Sequence, residues 1–194
     1  MIYLNGFLIE NKRFPDNTLA LKLDTCNNNS KITWLYDSDE EMFTIYTLTR
    51  HMQSQGFRVS LFMPYIPNAR MDRVKNDEDI FTLKYFCEFI NSLNFGYVDV
   101  LDPHSNVAMA LLNRVHARSI ENYVWEALNN IMYDVTGGCM HEDRMAMEDN
   151  LVLFYPDEGS MKRYSELYQH EYAFGIKHRE WRTGKIASLE VVYK

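Results

Sequence analysis

Four charged clusters follow predicted strands, and their residue types suit the binding of phosphate groups. They occupy residues 70–73, 102–105, 157–163 and 177–179. Loops at strand ends commonly form the ligand site of an α/β protein, because the carboxyl ends of parallel strands meet at one edge of the sheet. In the first cluster Arg70 and Arg73 flank Asp72, and the guanidinium fork matches phosphate oxygens. This cluster predicts an anionic ligand; the alternative is a solvated loop with one Arg–Asp pair.

The second and third clusters combine acids with groups that bind metals or phosphates. Asp102 and His104 lie two residues apart in a turn that contains Pro103, which suits a metal ion or a phosphate chain. Asp157 and Glu158 follow a predicted strand, and two carboxylates at that position can hold a hydrated Mg²⁺. The alternatives are a structural histidine in the second cluster and an ordinary capped helix with solvated charges in the third.

The fourth cluster places two cations, Lys177 and Arg179, on either side of His178. It follows one predicted strand and precedes the last one, so it is expected near the tip of a hairpin. As a functional element, these cations would close over phosphates and stabilise the charge that develops in the transition state. The alternative is an exposed basic turn.

Alternating strands and helices must position these clusters. Apolar runs bounded by turn residues predict strands at residues 2–9, 18–24, 32–36, 58–63, 97–101, 151–155, 172–176 and 186–193. A capping box of Ser38 and Glu41 predicts the start of a helix that Gly56 ends. Apolar residues at helical spacing predict further helices at about 79–93, 121–133 and 160–169.

This order of elements indicates βαβ units, and therefore an α/β fold with a mostly parallel sheet flanked by helices. The stretch from 136 to 150 is polar and rich in Gly, Met and acids. We interpret it as the boundary between two lobes, residues 1–140 and residues 141–194.

Composition narrows the class of protein further. The chain has 194 residues and a formal net charge of −7, which argues against a general nucleic-acid binder. An acidic protein that handles phosphates should concentrate its cations locally and use a divalent metal. Three cysteines without a C-x-x-C spacing favour a reducing compartment. No apolar run approaches the length of a membrane span, so we predict a cytoplasmic protein.

Taken in order, the four clusters resemble motifs of the ribose-phosphate diphosphokinase (PRPP synthetase) family. Residues 64–73, PYIPNARMDR, are similar to the ATP loop of that family. Residues 98–104, VDVLDPH, resemble its strand that ends in Asp-Leu-His. Residues 156–163, PDEGSMKR, resemble its Pro-Asp-x-Gly-Gly-x-Lys-Arg motif, and residues 177–179 match the Lys-x-Arg of its mobile hairpin.

The resemblance implies a phosphoribosyltransferase-like fold and a Mg²⁺-dependent reaction. The family moves the β,γ-diphosphate of ATP onto the anomeric hydroxyl of ribose 5-phosphate, and the acceptor here is ribose 5-phosphate or a related ribosyl group. The implied roles are ATP binding by Arg70, Asp72, Arg73 and His104, metal binding by His104 and Asp157, and catalysis by Lys177 and Arg179. The family associates through its N-terminal lobes, so a homo-oligomer is also implied.

The chain departs from the family pattern at several positions. Met71 stands where the family has glutamine, Pro103 precedes His104, and Ser160 replaces a glycine. The family's ribose-phosphate loop, Asp-Asp followed by Thr-Gly-Gly-Thr, is not found; residues 133–139 are only faintly similar to it. We therefore expect an incomplete second lobe and weak or no turnover by this chain alone. The alternative function is a non-catalytic nucleotide-binding or assembly subunit.

Overall fold

The computed structural model describes residues 1–23, 29–104, 106–136, 151–168, 170–179 and 186–194. The chain forms two compact units, here called unit 1 (Met1–Ile120) and unit 2 (Glu121–Lys194). The predicted lobe boundary at residues 140 and 141 lies outside the described residues, so that boundary stays a prediction.

Parallel strands form most of the sheet in unit 1. Among the described residues the strands are β1 (Ile2–Leu4), β2 (Phe7–Leu8), β3 (Lys12–Arg13), β4 (Leu19–Ala20), β5 (Asn29–Trp34), β6 (Arg58–Met63), β7 (Val98–Leu101) and β8 (Val115–Arg118). The main sheet has the order β2-β1-β5-β6-β7-β8, and β3 pairs with β4 alone. Strands β5 to β8 are parallel to one another, whereas β1 is antiparallel to both of its neighbours.

Helices connect the parallel strands of unit 1 and cover one face of the sheet. They are α1 (Glu41–Ser54), α2 (Thr82–Ser92) and α3 (Asn106–Leu111). Each connection advances one strand in the same direction, so right-handed crossovers put all three helices on the same face. Their apolar side chains form one core with the sheet residues Ile32, Leu61 and Val100. Cys87 of α2 belongs to this core, and burial raises the pKa of its thiol to about 11.

The start of α1 differs from the predicted capping box. Helix α1 begins at Glu41, after a Glu40 cap that makes no side-chain hydrogen bond, so the Ser38–Glu41 box is wrong. The Glu41 carboxylate instead accepts hydrogen bonds from the Trp34 indole N–H at 2.8 Å and the Asp37 amide at 2.9 Å. The predicted stop is confirmed, since Gly56 follows the helix with a φ of +84°.

Several other bounds in unit 1 also differ from prediction. The strand expected at 32–36 is Asn29–Trp34, because pairing with β6 already begins at Asn29. The strand expected at 2–9 is two short strands, since Asn5 and Gly6 both have positive φ and turn the chain back. Helix α2 starts at Thr82 and leaves Ile80 exposed. The predicted strand at 58–63 is confirmed.

Unit 2 combines two helices with a small mixed sheet in the described residues. Its elements are α4 (Glu121–Thr136), β9 (Val152–Tyr155), α5 (Glu158–Tyr164), β10 (Glu171–Arg179) and β11 (Ile186–Tyr193). Strand β10 is central, parallel to β9 and antiparallel to β11. The predicted strand at 186–193 is confirmed, whereas the helix expected at 160–169 starts and ends earlier and the strand expected at 172–176 runs on to Arg179.

The predicted fold class is confirmed. The protein is a mixed α/β structure with a mostly parallel main sheet and flanking helices. Within the described ranges, none of the helices has the length and apolar character needed to cross a membrane.

Candidate functional site

The first two predicted clusters leave the same edge of the unit 1 sheet. Strands β6 and β7 are parallel neighbours, and they end at Met63 and Leu101. The segment after β6 carries Arg70, and the turn after β7 carries His104. The topology therefore brings both clusters to the carboxyl edge of these two strands, where α/β sheets commonly bind ligands.

In the first cluster, an ion pair within the loop neutralises only one of the two arginines. Asp72 is buried, and one of its oxygens accepts a hydrogen bond from Arg73 Nε at 2.9 Å. Hydrogen bonding by Asp72, with the attraction of its charge, raises the pKa of the Arg73 guanidinium. Arg70 is exposed and forms no ion pair with any described residue. The Arg–Asp pair of the alternative interpretation is thus present, and Arg70 is the cation left to meet an anion.

The second cluster begins with a sharp change of backbone direction. Asp102 has a φ of +46°, and its N–H donates to the Arg118 carbonyl at 3.1 Å, which extends the β7–β8 pairing by one step. The chain then turns away through Pro103, and His104 is exposed to solvent. The adjacent Ser105 lies outside the described residues. An exposed imidazole at a strand end is accessible to a ligand.

Sequence reasoning missed a buried carboxylate next to this cluster. Asp99 in the middle of β7 is 4% exposed and accepts hydrogen bonds from the Arg118 guanidinium, one of them from Nε at 3.0 Å. His116 Nδ1 lies 3.6 Å from its other oxygen. An acid between Val98 and Val100, in the interior of an apolar strand, was the available signal.

Two tyrosines at the carboxyl edge were also missed. Tyr36 follows β5, Tyr65 follows β6, and their ring centroids lie 6.3 Å apart. The Tyr36 hydroxyl donates to Asp39 at 2.9 Å, and its ring also makes an edge contact with Trp34 at 5.7 Å. Tyr65 is half exposed. Aromatic residues after two neighbouring strands thus lie at this edge beside its charges.

In unit 2 the structure joins two residues that were selected from separate motifs. Lys177 Nζ on β10 lies 2.8 Å from Asp157 Oδ2, at the carboxyl end of the parallel neighbour β9. The two residues are 20 positions apart in the chain. Their side chains are 26% and 40% exposed, so the pair is accessible to a ligand.

Asp157 is also the cap of α5. Its second oxygen, Oδ1, accepts the Ser160 N–H and the Ser160 hydroxyl, both at 2.9 Å. The hydrogen bond from Lys177, followed by those from Ser160, holds the pKa of Asp157 well below its usual range. Asp157 is therefore ionised at any physiological pH, as a metal ligand must be.

The donor set fits a metal that arrives with its phosphates. No group of three or more metal-ligating side chains occurs in the described parts of the chain. Mg²⁺ commonly keeps several waters and takes only one or two carboxylates together with substrate phosphates. Asp157 satisfies that requirement, provided that Oδ2 exchanges Lys177 for the metal.

Arg179 is the last residue of β10 and pairs with Ile186 of β11 after a shift in register between His178 and Arg179. The hairpin predicted from the fourth cluster is therefore present as a β10–β11 ladder that contains residues 177–179, and residues 180–185 lie outside the described residues. Lys177 lies inside this ladder, opposite Leu189. Its backbone is held by strand pairing, so its position is set by the sheet.

Comparison with known proteins gives a structural match without a sequence match. No family model matches the chain, and no curated protein sequence matches it. Its fold is similar to that of phosphoribosylpyrophosphate synthetase from Mycobacterium smegmatis, with a TM-score of 0.66 and 14% sequence identity. The match covers 95% of this chain and 58% of that protein, so the chain spans less than two thirds of its length. The fold is therefore PRPP-synthetase-like, as the motifs predicted.

Proposed function

We propose that this protein binds Mg–ATP and acts in the transfer of diphosphate from ATP to the anomeric hydroxyl of ribose 5-phosphate or a related ribosyl acceptor. The observation that carries the proposal is the 2.8 Å contact between Asp157 and Lys177. A metal-binding acid and a phosphate-binding cation belong side by side in such a site, because each meets a different part of the same metal–triphosphate group.

Diphosphate transfer requires aligned reactants and stabilisation of charge rather than a protein nucleophile. Phosphoryl groups transfer through a transition state whose charge is spread over several oxygens, and catalysis comes mainly from aligned reactants and fixed cations. A bound Mg²⁺ would neutralise part of that charge. The proposed metal ligand in unit 2 is Asp157, and His104 of unit 1 keeps the metal and nucleotide roles that the family resemblance implies.

The remaining residues would hold the nucleotide and the group in transfer. Arg70 and Arg73 would bind the phosphates of ATP, with Asp72 fixing the direction of Arg73. Lys177 would exchange its contact with Asp157 for a phosphate oxygen, so that it stabilises the charge that develops on the diphosphoryl group. Arg179 would act beside it from the end of β10.

The proposal includes a cytoplasmic homo-oligomer, as the family resemblance implies. A second candidate function is a non-catalytic nucleotide-binding or assembly subunit of a PRPP-synthetase-like complex. It is favoured by the lack of a recognisable ribose-phosphate loop among the 194 residues.

Two measurements test the proposal. Calorimetric titration with Mg–ATP should show saturable binding, and an assay of AMP release with ribose 5-phosphate measures the turnover of this chain alone, which we expect to be weak. Lys177→Ala should lower the rate of AMP release about 10²- to 10³-fold, the scale for removing a group that stabilises transition-state charge. The matched control is Lys84→Ala, because Lys84 is an exposed lysine of α2 that belongs to none of the four clusters.

The outcomes separate the candidates. Absence of Mg–ATP binding contradicts the nucleotide site and favours an assembly role. Binding without AMP release supports the non-catalytic subunit. Equal rates for Lys177→Ala and Lys84→Ala would refute the catalytic role of Lys177.

A further inference from the structure

One face of the unit 1 sheet is not covered by the helices that connect its strands. Helices α1 to α3 pack on the face that carries Ile32 and Leu61. Strand register puts Lys31 beside Ser60, and Phe62 beside Asp99, on the opposite face. Parallel sheets are usually apolar on both faces because helices cover both. A polar second face therefore needs another explanation.

A pocket of about 400 Å³ lies on this polar face at the amino ends of the strands. Its lining residues come from the starts of β5 and β6 and from the segment just before β7; they include Lys31, Arg58, Ser60, Gly96 and Tyr97. The residues proposed to bind ATP in unit 1 follow the carboxyl ends of β6 and β7. The pocket is thus at the opposite end of the same strands.

Among the described residues the charge of the pocket is positive. Lys31 and Arg58 are the charged residues of its described lining, in which no acid occurs. In the described part of the chain neither cation forms an ion pair. Arg118 on the same sheet face differs, because its charge is matched by Asp99. Two unmatched cations in one concave site of an acidic protein attract an anion.

The walls of the pocket are already ordered. Lys31 is half-buried, its Nζ lies 4.8 Å from the centre of the Phe62 ring, and its backbone N–H donates to Asn5 at 2.8 Å. The Tyr97 ring lies almost parallel to His116, with 6.1 Å between ring centroids. The Ser60 hydroxyl makes only a long 3.4 Å bond to the Ser30 carbonyl. A bound anion would find a fixed cation, an aromatic wall and a hydroxyl donor.

We propose that this pocket is a second ligand site, which binds a small phosphate monoester such as a sugar phosphate. Lys31 and Arg58 would bind the phosphate, and Ser60 would donate a hydrogen bond to it. Tyr97 would pack against the attached ring. The volume falls at the lower end of the range for small-molecule sites, which suits one phosphorylated ring rather than a polymer.

The test is an NMR titration of the full chain with inorganic phosphate in a phosphate-free buffer. Saturable shifts are expected at the amides of Gly96 and Tyr97. The double variant Lys31→Met/Arg58→Gln should bind phosphate there at least ~10-fold more weakly, since two charge-assisted contacts are lost. Lys84→Met is the matched control and should bind as wild type does. If the double variant does not fold, phosphate binding is measured with the single variants Lys31→Met and Arg58→Gln instead.

Each outcome decides the question. Saturable shifts that weaken only in the Lys31 and Arg58 variants support the site. No saturable shift at Gly96 and Tyr97 in the wild type, or equal binding by the variants, overturns it. Shifts confined to residues 64–81 also overturn it, and they leave the proposed ATP site intact. The result is therefore independent of the Mg–ATP titration.

Discussion

Unit 1 and unit 2 bury their side chains to very different extents. Among the described residues, every one of the largest fully buried side chains, including Trp34, Leu61 and Phe95, lies in unit 1. The apolar or aromatic residues buried in unit 2 are Tyr155, Tyr168, Ala173 and Phe174, while Phe154, Leu189 and Val191 of its sheet are more than half exposed. Unit 1 has an extensive core between its helices and one face of its sheet, and unit 2 has a much thinner core.

The candidate site residues of the two units also differ in their exposure and in their side-chain contacts. In unit 1, Arg70 and His104 are exposed on segments that follow a well-packed sheet. In unit 2, Asp157 caps α5 with one oxygen and pairs with Lys177 through the other. The site residues of unit 2 therefore help to organise the unit that carries them. We expect substitutions there to couple function to local stability more than in unit 1.

The largest expected effect on the free energy of unfolding comes from one of two leucines that lie in strands of the two units. Leu61→Ala should reduce the free energy of unfolding by about 2–5 kcal/mol, because Leu61 is completely buried in the unit 1 core. Leu189→Ala should cost less than about 1 kcal/mol, because Leu189 is 53% exposed on β11. Urea unfolding followed by circular dichroism measures both. A loss at Leu189 as large as that at Leu61 would contradict the contrast between the two cores.

A buried acid of unit 1 gives the next largest effect. Burial alone would raise the pKa of Glu41, but hydrogen bonds from the Met1 ammonium, the Trp34 indole and the Asp37 amide hold that pKa below its usual value. Its stabilisation is thus present at neutral pH and is lost as the pH falls through the folded-state pKa. Glu41→Gln should cost about 1–3 kcal/mol at pH 7 and less at pH 3. A loss that does not change with pH would show that the charge of Glu41 is unimportant.

The corresponding acid of unit 2 should matter less. Asp157→Asn should cost about 1 kcal/mol, the scale of a helix cap and a partly exposed ion pair. Because its folded pKa is depressed, the contribution of Asp157 exists above the unfolded pKa of about 3.9 and disappears in acid. Thermal unfolding at pH 7 and pH 2.5 tests this. The matched control Ser160→Ala removes one hydroxyl donor and keeps the charge, so its cost should depend less on pH.

The smallest expected effect concerns metal binding in unit 2. If Lys177 and a divalent cation compete for Asp157 Oδ2, Lys177→Met should tighten Mn²⁺ binding about threefold, the scale of a partly exposed ion pair. Paramagnetic broadening by Mn²⁺ without nucleotide measures the affinity, and Asp157→Asn should abolish the effect. Weaker Mn²⁺ binding by Lys177→Met would show that the lysine supports the metal site instead of competing for it.

Elements that carry a clear apolar pattern were predictable from the sequence, and short elements without one were not. Strand β6 was predicted with the correct bounds because an apolar run ends at Pro64. Helix α3 was missed because six residues give too little periodicity, and strand β8 was missed because two of its four residues, His116 and Arg118, are polar. The capping box was wrong because Glu41 bonds to the preceding strand and turn, which local sequence does not reveal.

The candidate site shows the same limit. The motifs around Asp157 and Lys177 were recognisable one by one. Their contact depends on the parallel register of β9 and β10, in which Phe174 lies beside Tyr155, and residue spacing alone does not contain that register. Asp99 was missed because its partner Arg118 lies on a strand that was not predicted. The assigned roles in ATP binding, metal binding and catalysis stay predictions.

The buried thiol of α2 offers a way to time the opening of unit 1 by itself. The thiolate attacks an electrophilic thiol reagent, so Cys87 can react only when the packing around it comes apart. The other two cysteines, Cys26 and Cys139, lie outside the described residues, and replacing both with serine would leave one sulfhydryl in the chain. The labelling rate of that variant would then report the rate at which unit 1 opens around Cys87.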